Sequence, residues 1–202
     1  MKTVILAGGY GTRIAEYTKK IPKPMVKIGG IPLLTHIMRL FKSYGYDEFI
    51  IAAGYKKKVI QNYYLNSKEF TNLQIIDTGK ETMTGGRLLR LKPFFKKEEI
   101  FFMTYGDGLS DVNLKKLKEF HLKHKKIASV TAVRPPVRFG EMSIIRSRVS
   151  SFKEKPEIKS SWINGGFFVL SQKIFSFIKN DSSSFEKQPM EKLSEKKNLM
   201  AY

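Results

Sequence analysis

Apolar positions along this chain fall into two alternating rhythms. Short continuous runs read as buried strands: Val4-Ile5-Leu6-Ala7, Phe49 to Ala53, Leu73 to Ile76, Ile100 to Thr104 and Ala128 to Val133. Between them the spacing opens to the helical period. Leu33, Leu34, Ile37, Met38 and Phe41 recur in that way and predict a helix over Pro32 to Tyr44. Further helices are expected over Lys57 to Leu65, Gly86 to Phe94 and Asn113 to His124, with Pro93 ending or distorting the second of these. From Met142 the rhythm changes. Met142 to Ile145 and Arg148 to Phe152 read as a hairpin-like pair, Gly165 to Leu170 as a strand and Gln172 to Ile178 as a helix. A polar break at Ser182-Ser183-Ser184 then precedes a last amphipathic stretch, Glu186 to Lys197. Such alternation predicts an α/β, Rossmann-like fold: a mainly parallel mixed sheet flanked by helices on both faces. His121 and His124 are expected on the surface of their helix.

Composition narrows the class. A chain of 202 residues with 42% apolar residues can bury the core of one domain, and no internal repeat or long linker divides it. The absence of cysteine excludes disulfides and thiolate zinc sites. The apolar stretch after Met1-Lys2-Thr3 stops at Gly8, too short for a secretory leader, and no segment approaches the ~20 apolar residues of a membrane span. A soluble cytoplasmic protein without a membrane partner is expected. The formal net charge of +19 raises the question of nucleic acid. Its lysines are spread in pairs such as Lys96-Lys97, Lys115-Lys116 and Lys125-Lys126, with no basic helix or aromatic-studded stripe, so no nucleic-acid partner is expected. A positive field of this size still draws triphosphates and sugar phosphates from solution.

The candidate chemistry begins where the first strand breaks into Gly8-Gly9-Tyr10-Gly11-Thr12-Arg13. Glycines let backbone N–H groups approach a bulky anion, and Arg13 adds a forked cation just past the turn. Lys23 follows, held between Pro22 and Pro24. The loop lacks the Lys-Ser/Thr of a Walker A motif, and Ile14 stands where the dinucleotide fingerprint needs its third glycine. It reads as a nucleoside triphosphate site of another kind. Asp107, between Gly106 and Gly108 just past the strand 100–104, suits Mg²⁺ held against phosphate oxygens. Thr82 to Leu88 forms a glycine-containing turn at a helix start, with Thr84 as its cap and backbone donors facing a base or phosphate. Lys155, before Pro156, projects a point charge suited to a monophosphate.

Taken whole, LAGGYGTR followed by PKPM, with TYGDGLSD, EKP and INGGFFVL, resembles the sugar-phosphate nucleotidyltransferases, which join a sugar 1-phosphate to a nucleoside triphosphate. TMTGGRL, GYKKKVIQNYY and PPVRFG bring the likeness nearest to its glucose-1-phosphate cytidylyltransferase branch. The resemblance implies the nucleotide-diphospho-sugar transferase fold, CTP and glucose 1-phosphate as substrates, CDP-glucose and pyrophosphate as products, and Mg²⁺ as cofactor. It implies that Leu6, Ala7, Gly8, Gly9, Gly11, Thr12, Arg13, Lys23, Thr84, Gly85, Arg87 and Gly106 hold the nucleotide. Arg13, Lys23 and Asp107 would carry the catalysis, Asp107 would bind the metal, and Glu154, Lys155, Asn164 and Gly165 would hold the sugar phosphate. A relative using another nucleotide or sugar is the alternative enzyme. Two departures stand out. The insertion that such relatives carry before Asp77-Thr78-Gly79 is short here, which leaves assembly into a homo-oligomer open. The family pattern also runs on past Tyr202 to a second metal-binding Asp, so the chain is expected to hold one nucleotidyltransferase domain short of its C-terminal part. Either Asp107 suffices with phosphates and water, or the chain is an impaired, nucleotide-binding remnant.

Overall fold

The computed structural model describes residues 1–11, 16, 20–135, 140–154 and 161–202. Thr12, Arg13 and Lys155, and most of the PPVRFG stretch, lie outside the described residues.

A seven-stranded sheet forms the centre. Its strands are β1 (Lys2–Ala7), β4 (Glu48–Ala53), β5 (Leu73–Asp77), β6 (Ile100–Tyr105), β7 (Ala128–Val133), β10 (Ile163–Ser171) and β11 (Leu199–Ala201). The spatial order is β11-β7-β10-β6-β1-β4-β5. β1 pairs in parallel with both β4 and β6, β4 with β5, and β11 with β7, whereas β10 runs antiparallel between β6 and β7. Two small ribbons complete the strands: β2 (Lys27–Ile28) with β3 (Ile31–Pro32), and the hairpin β8 (Glu141–Ile145) with β9 (Arg148–Lys153).

Strand residues alternate between two apolar layers, as a period of two requires. Ile5, Ala7, Phe49, Ile51, Phe102 and Phe167 pack against α1 (Leu33–Ser43), α2 (Lys57–Tyr64) and α4 (Leu114–His124). Val4, Leu6, Ile50, Phe101, Met103 and Phe168 pack against α3 (Thr84–Arg90), α5 (Gln188–Glu195) and the 3₁₀ turn Gln172–Phe177. The result is a mixed, mostly parallel sheet covered on both faces, as the alternating rhythm predicts.

Several expectations need correction. The helix expected over Gly86 to Phe94 begins earlier, at Thr84, and stops at Arg90; Pro93 lies in a separate 3₁₀ turn, Lys92–Phe94. Met83, not Thr84, is its N-cap residue. Gln172–Phe177 is 3₁₀ rather than α-helical, and the last amphipathic stretch is helical only over Gln188–Glu195 before turning into β11. β11 gave no signal in sequence because three residues hold too few positions to show a period.

His121 is also misplaced by the periodicity. It is 2% exposed and belongs to a buried relay. The Lys126 N–H donates to His124 Nδ1 (2.9 Å), so His124 Nε2 is the donor to Ser129 Oγ (2.7 Å), and the same hydroxyl shares a hydrogen bond with His121 Nδ1 (2.9 Å). Burial, reinforced by the neighbouring His124, pushes the His121 pKa down to about 4. Its folded value lies below the ~6.5 of a free histidine, so between those values the unfolded chain binds more protons and stability falls as pH falls. We expect the urea midpoint to decline from pH 7 to pH 4.5 and His121→Gln to flatten that decline. Equal slopes in the two proteins would refute the assignment.

Candidate active site

Strand order places the site. From β1 the chain moves outward to β4 and β5, then returns to the other side of β1 as β6. Such a reversal opens a crevice at the carboxyl ends of the two strands, because the connections leave in opposite directions. The glycine loop after β1 and Gly106-Asp107 after β6 form its two lips, joined by the Gly106 N–H donating to the Leu6 carbonyl (2.9 Å). A cavity of about 600 Å³ lies there, large enough for a nucleotide sugar. Leu6, Ala7, Gly8, Gly9, Gly11, Lys23, Thr84, Arg87, Gly106 and Asp107, all singled out in the sequence, line it.

Lys23 and Asp107 meet at this cavity. Lys23 sits in a 3₁₀ turn, Lys23–Met25, closed by the Met25 N–H donating to the Pro22 carbonyl (2.8 Å). Pro24 packs on Gly106 so closely that a Cβ there would stand 2.8 Å from Pro24 Cγ. The turn is thereby locked to the end of β6, and Lys23 Nζ donates to Asp107 Oδ2 at 2.6 Å. Their side chains keep 30% and 41% exposure, so both remain accessible to a ligand.

Arg87 acts differently from expectation. It reaches the cavity wall, yet its guanidinium donates to Gly8 O (2.9 Å), Gly79 O (2.5 Å), Lys80 O (3.2 Å) and Thr78 Oγ1 (3.0 Å). Burial holds its pKa below the usual arginine range. Its main work is to clamp the glycine loop to the turn after β5. A Cβ on Gly8 or Gly54 would stand 2.2 or 2.3 Å from Arg87 Nη1, so both glycines are needed for the guanidinium to fit.

Gly85 needs correction as a backbone donor to a ligand, while Thr84 lines the cavity and has a second task. Gly85 is buried: its N–H donates to Ser183 O (2.9 Å), and a Cβ would stand 2.7 Å from that oxygen. Thr84 accepts from the Phe185 N–H (2.9 Å) and donates to Glu186 Oε2 (2.7 Å). Both residues anchor the segment 183–186, which sequence spacing could not bring to this helix.

That segment contributes Glu186, which the sequence reading missed. It accepts from Thr84, from the Tyr105 hydroxyl (2.7 Å) and from Ser184 Oγ (2.8 Å). Burial works to raise its pKa, but the hydrogen bonds from Thr84 and Tyr105 outweigh it and hold the carboxyl below its usual value. Its partner Tyr105, a cavity residue unforeseen in sequence, is pushed well above the usual phenol range by burial and by Glu186. Across the cavity the Tyr10 hydroxyl donates to Glu81, and its ring lies 5.0 Å from that of Tyr55. The sequence held no signal for this latch between two loops.

Of the residues expected to hold the sugar phosphate, Asn164 and Gly165 lie beside the cavity residue Tyr105 rather than in the lining: Asn164 Oδ1 accepts from the Gly166 N–H (2.8 Å), and the Asn164 side chain also touches the Tyr105 hydroxyl. Gly165 uses its lack of a side chain to pack on Thr131, whose Oγ1 would stand 2.7 Å from a Cβ. Glu154 follows β9, outside the ring of residues that line the cavity.

No group of three or more His, Cys, Asp or Glu able to hold a metal occurs among the described residues. Asp107 is the carboxylate paired with Lys23 at the cavity, whose described lining also includes Glu81. One carboxylate with phosphates and water is an ordinary Mg²⁺ set, so the donors fit a metal that arrives with its substrate.

Comparison with known proteins identifies the family. The nucleotidyl transferase family model matches residues 2–201. The glucose-1-phosphate cytidylyltransferase of Salmonella typhimurium is 43% identical over 224 aligned positions, covering 100% of this chain and 87% of the relative. A probable glucose-1-phosphate cytidylyltransferase of Bacillus subtilis is 37% identical with the same coverage. Among solved structures, HddC from Yersinia pseudotuberculosis complexed with GMP-PN superposes with a TM-score of 0.77 at 28% identity, covering 100% of this chain and 89% of that one. No helix among the described residues is long and apolar enough to cross a membrane.

Proposed function

Because this chain belongs to the nucleotidyl transferase family, we propose that it condenses CTP with α-D-glucose 1-phosphate to give CDP-glucose and pyrophosphate. The observation that carries the reading is the Lys23–Asp107 pair at the mouth of the β1/β6 crevice, facing the glycine loop across one cavity. The cytidylyltransferase relatives support the choice of base and sugar.

The reaction needs no protein nucleophile. A phosphate oxygen of the sugar 1-phosphate forms a bond to the α-phosphorus of CTP, the α–β bridging bond breaks, and its electrons leave with pyrophosphate. Catalysis is therefore positioning and charge neutralisation. Backbone donors of the glycine loop receive the triphosphate, and Arg87 keeps that loop in place by holding the Gly8 carbonyl. Lys23 offers its ammonium to the reacting phosphates once they displace Asp107 from it. Asp107 would then hold Mg²⁺, which when bound neutralises phosphate charge. Asn164 and Glu154 would orient the sugar, with Arg13 and Lys155 supplying further cations to the phosphates.

The test is pyrophosphate release with CTP, UTP, dTTP and GTP, each with glucose 1-phosphate, with and without Mg²⁺. CTP is expected to give the highest kcat/KM, with turnover lost on chelation. Turnover with UTP alone would remove the cytidylyl assignment, and CTP binding without product at any Mg²⁺ concentration would leave only a binding function.

A further inference from the structure

Resting on that reading, we propose that Trp162 is the platform on which the hexopyranose ring of the sugar phosphate stacks. Trp162 is the single tryptophan of the chain and is 59% exposed. It extends β10 outward from Ile163. The register pairs Ile163 with Val133 and Asn164 with Ala132, so Trp162 stands opposite Arg134 at the carboxyl end of β7. The two side chains meet, with the guanidinium carbon 4.2 Å from the ring centroid. A planar cation on one face fixes the indole, and a ring held in that way, on a residue still 59% exposed, would offer its opposite face to a ligand.

The location gives that face an occupant. Residues two apart on a strand share a side of the sheet, so Trp162 stands with Asn164, about 7 Å further out. Asn164 touches Tyr105, and Tyr105 is part of the cavity wall. A continuous edge therefore runs from the phosphate end of the crevice through Tyr105 and Asn164 to Trp162. A ligand extending from the reacting phosphate along this edge meets hydrogen-bonding groups first and an aromatic face next. A glucopyranose matches that order: its hydroxyls are equatorial and point outward, while its axial C–H bonds give the ring apolar faces. Covering the indole removes apolar surface from water, and the equatorial hydroxyls stay available to Asn164. The sugar's ring face, not its charge, is what Trp162 would recognise.

A lone tryptophan makes this directly observable. We would titrate the wild-type chain with glucose 1-phosphate, inorganic phosphate and CTP while recording indole emission, and measure kinetics of Trp162→Ala and Trp162→Phe. The expected result is a saturable blue shift with glucose 1-phosphate and none with inorganic phosphate. Trp162→Ala should raise the KM for glucose 1-phosphate about tenfold, with the loss falling there rather than on kcat or the KM for CTP, and Trp162→Phe should recover most of it. An emission change driven by CTP alone, by inorganic phosphate or by protein concentration would overturn the proposal, as would an unaltered sugar KM in Trp162→Ala. Should the wild type make no CDP-glucose, the proposed reaction fails, yet the emission titration still decides whether the ring stacks.

Discussion

Lys23→Ala is expected to lower kcat by about 100-fold or more, the usual consequence of losing a preorganised charge aimed at a transition state. The ammonium is placed before substrate arrives, since Pro22, Pro24 and the packing of Pro24 on Gly106 leave its turn one position relative to β6. Its partner Asp107 gives it a ready location 2.6 Å away, so little reorganisation is needed when phosphate oxygens take that place. Being exposed, the Lys23–Asp107 pair adds little to folding. The variant should therefore melt within a few degrees of the wild type while its pyrophosphate release collapses. Wild-type kinetics in Lys23→Ala would remove it from the reacting phosphates.

The second large effect is on stability. Arg87→Ala is expected to cost about 3 kcal/mol, because several carbonyls lose a charged donor at once and the buried ones keep no substitute. The acceptors lie on two loops, Gly8 after β1 and Gly79 and Lys80 after β5, so the loss should also loosen the glycine loop and raise the KM for CTP. Arg87→Lys should restore little, since a point ammonium cannot reach acceptors that a planar fork reaches together. Gly8→Ala should reproduce part of the defect by pushing a methyl into the guanidinium. Urea unfolding of these variants checks the clamp. An Arg87→Ala midpoint equal to that of the wild type would show that the carbonyls are satisfied by other means.

Legibility followed the range of the interaction. The strands 49–53, 100–104 and 128–133 and the helix after Pro32 were readable because a period of two or of 3.6 residues is local. Gly8, Lys23 and Asp107 were readable because each sits in a short string of glycines and prolines with few other uses. His121 was placed on the surface since its helix position says nothing of the Ser129 that waits on β7. The spacing around Thr84 and Gly85 gives no hint that Ser183, Phe185 and Glu186 are their hydrogen-bond partners. No spacing rule links residues so far apart in the chain.

By itself, then, the order of amino acids determined a two-sided α/β sheet, a glycine-lined turn at its first strand and two charged groups, Lys23 and Asp107, that meet at the same cavity. Only the tertiary structure decided that Arg87 holds carbonyls, that Glu186 holds the hydroxyl of the cavity residue Tyr105, and that Trp162 rests on Arg134. Local backbone preference and hydrophobic period act over a few residues and are written along the chain. Hydrogen bonds and ring contacts act over a few ångströms between segments that only the closed sheet brings together.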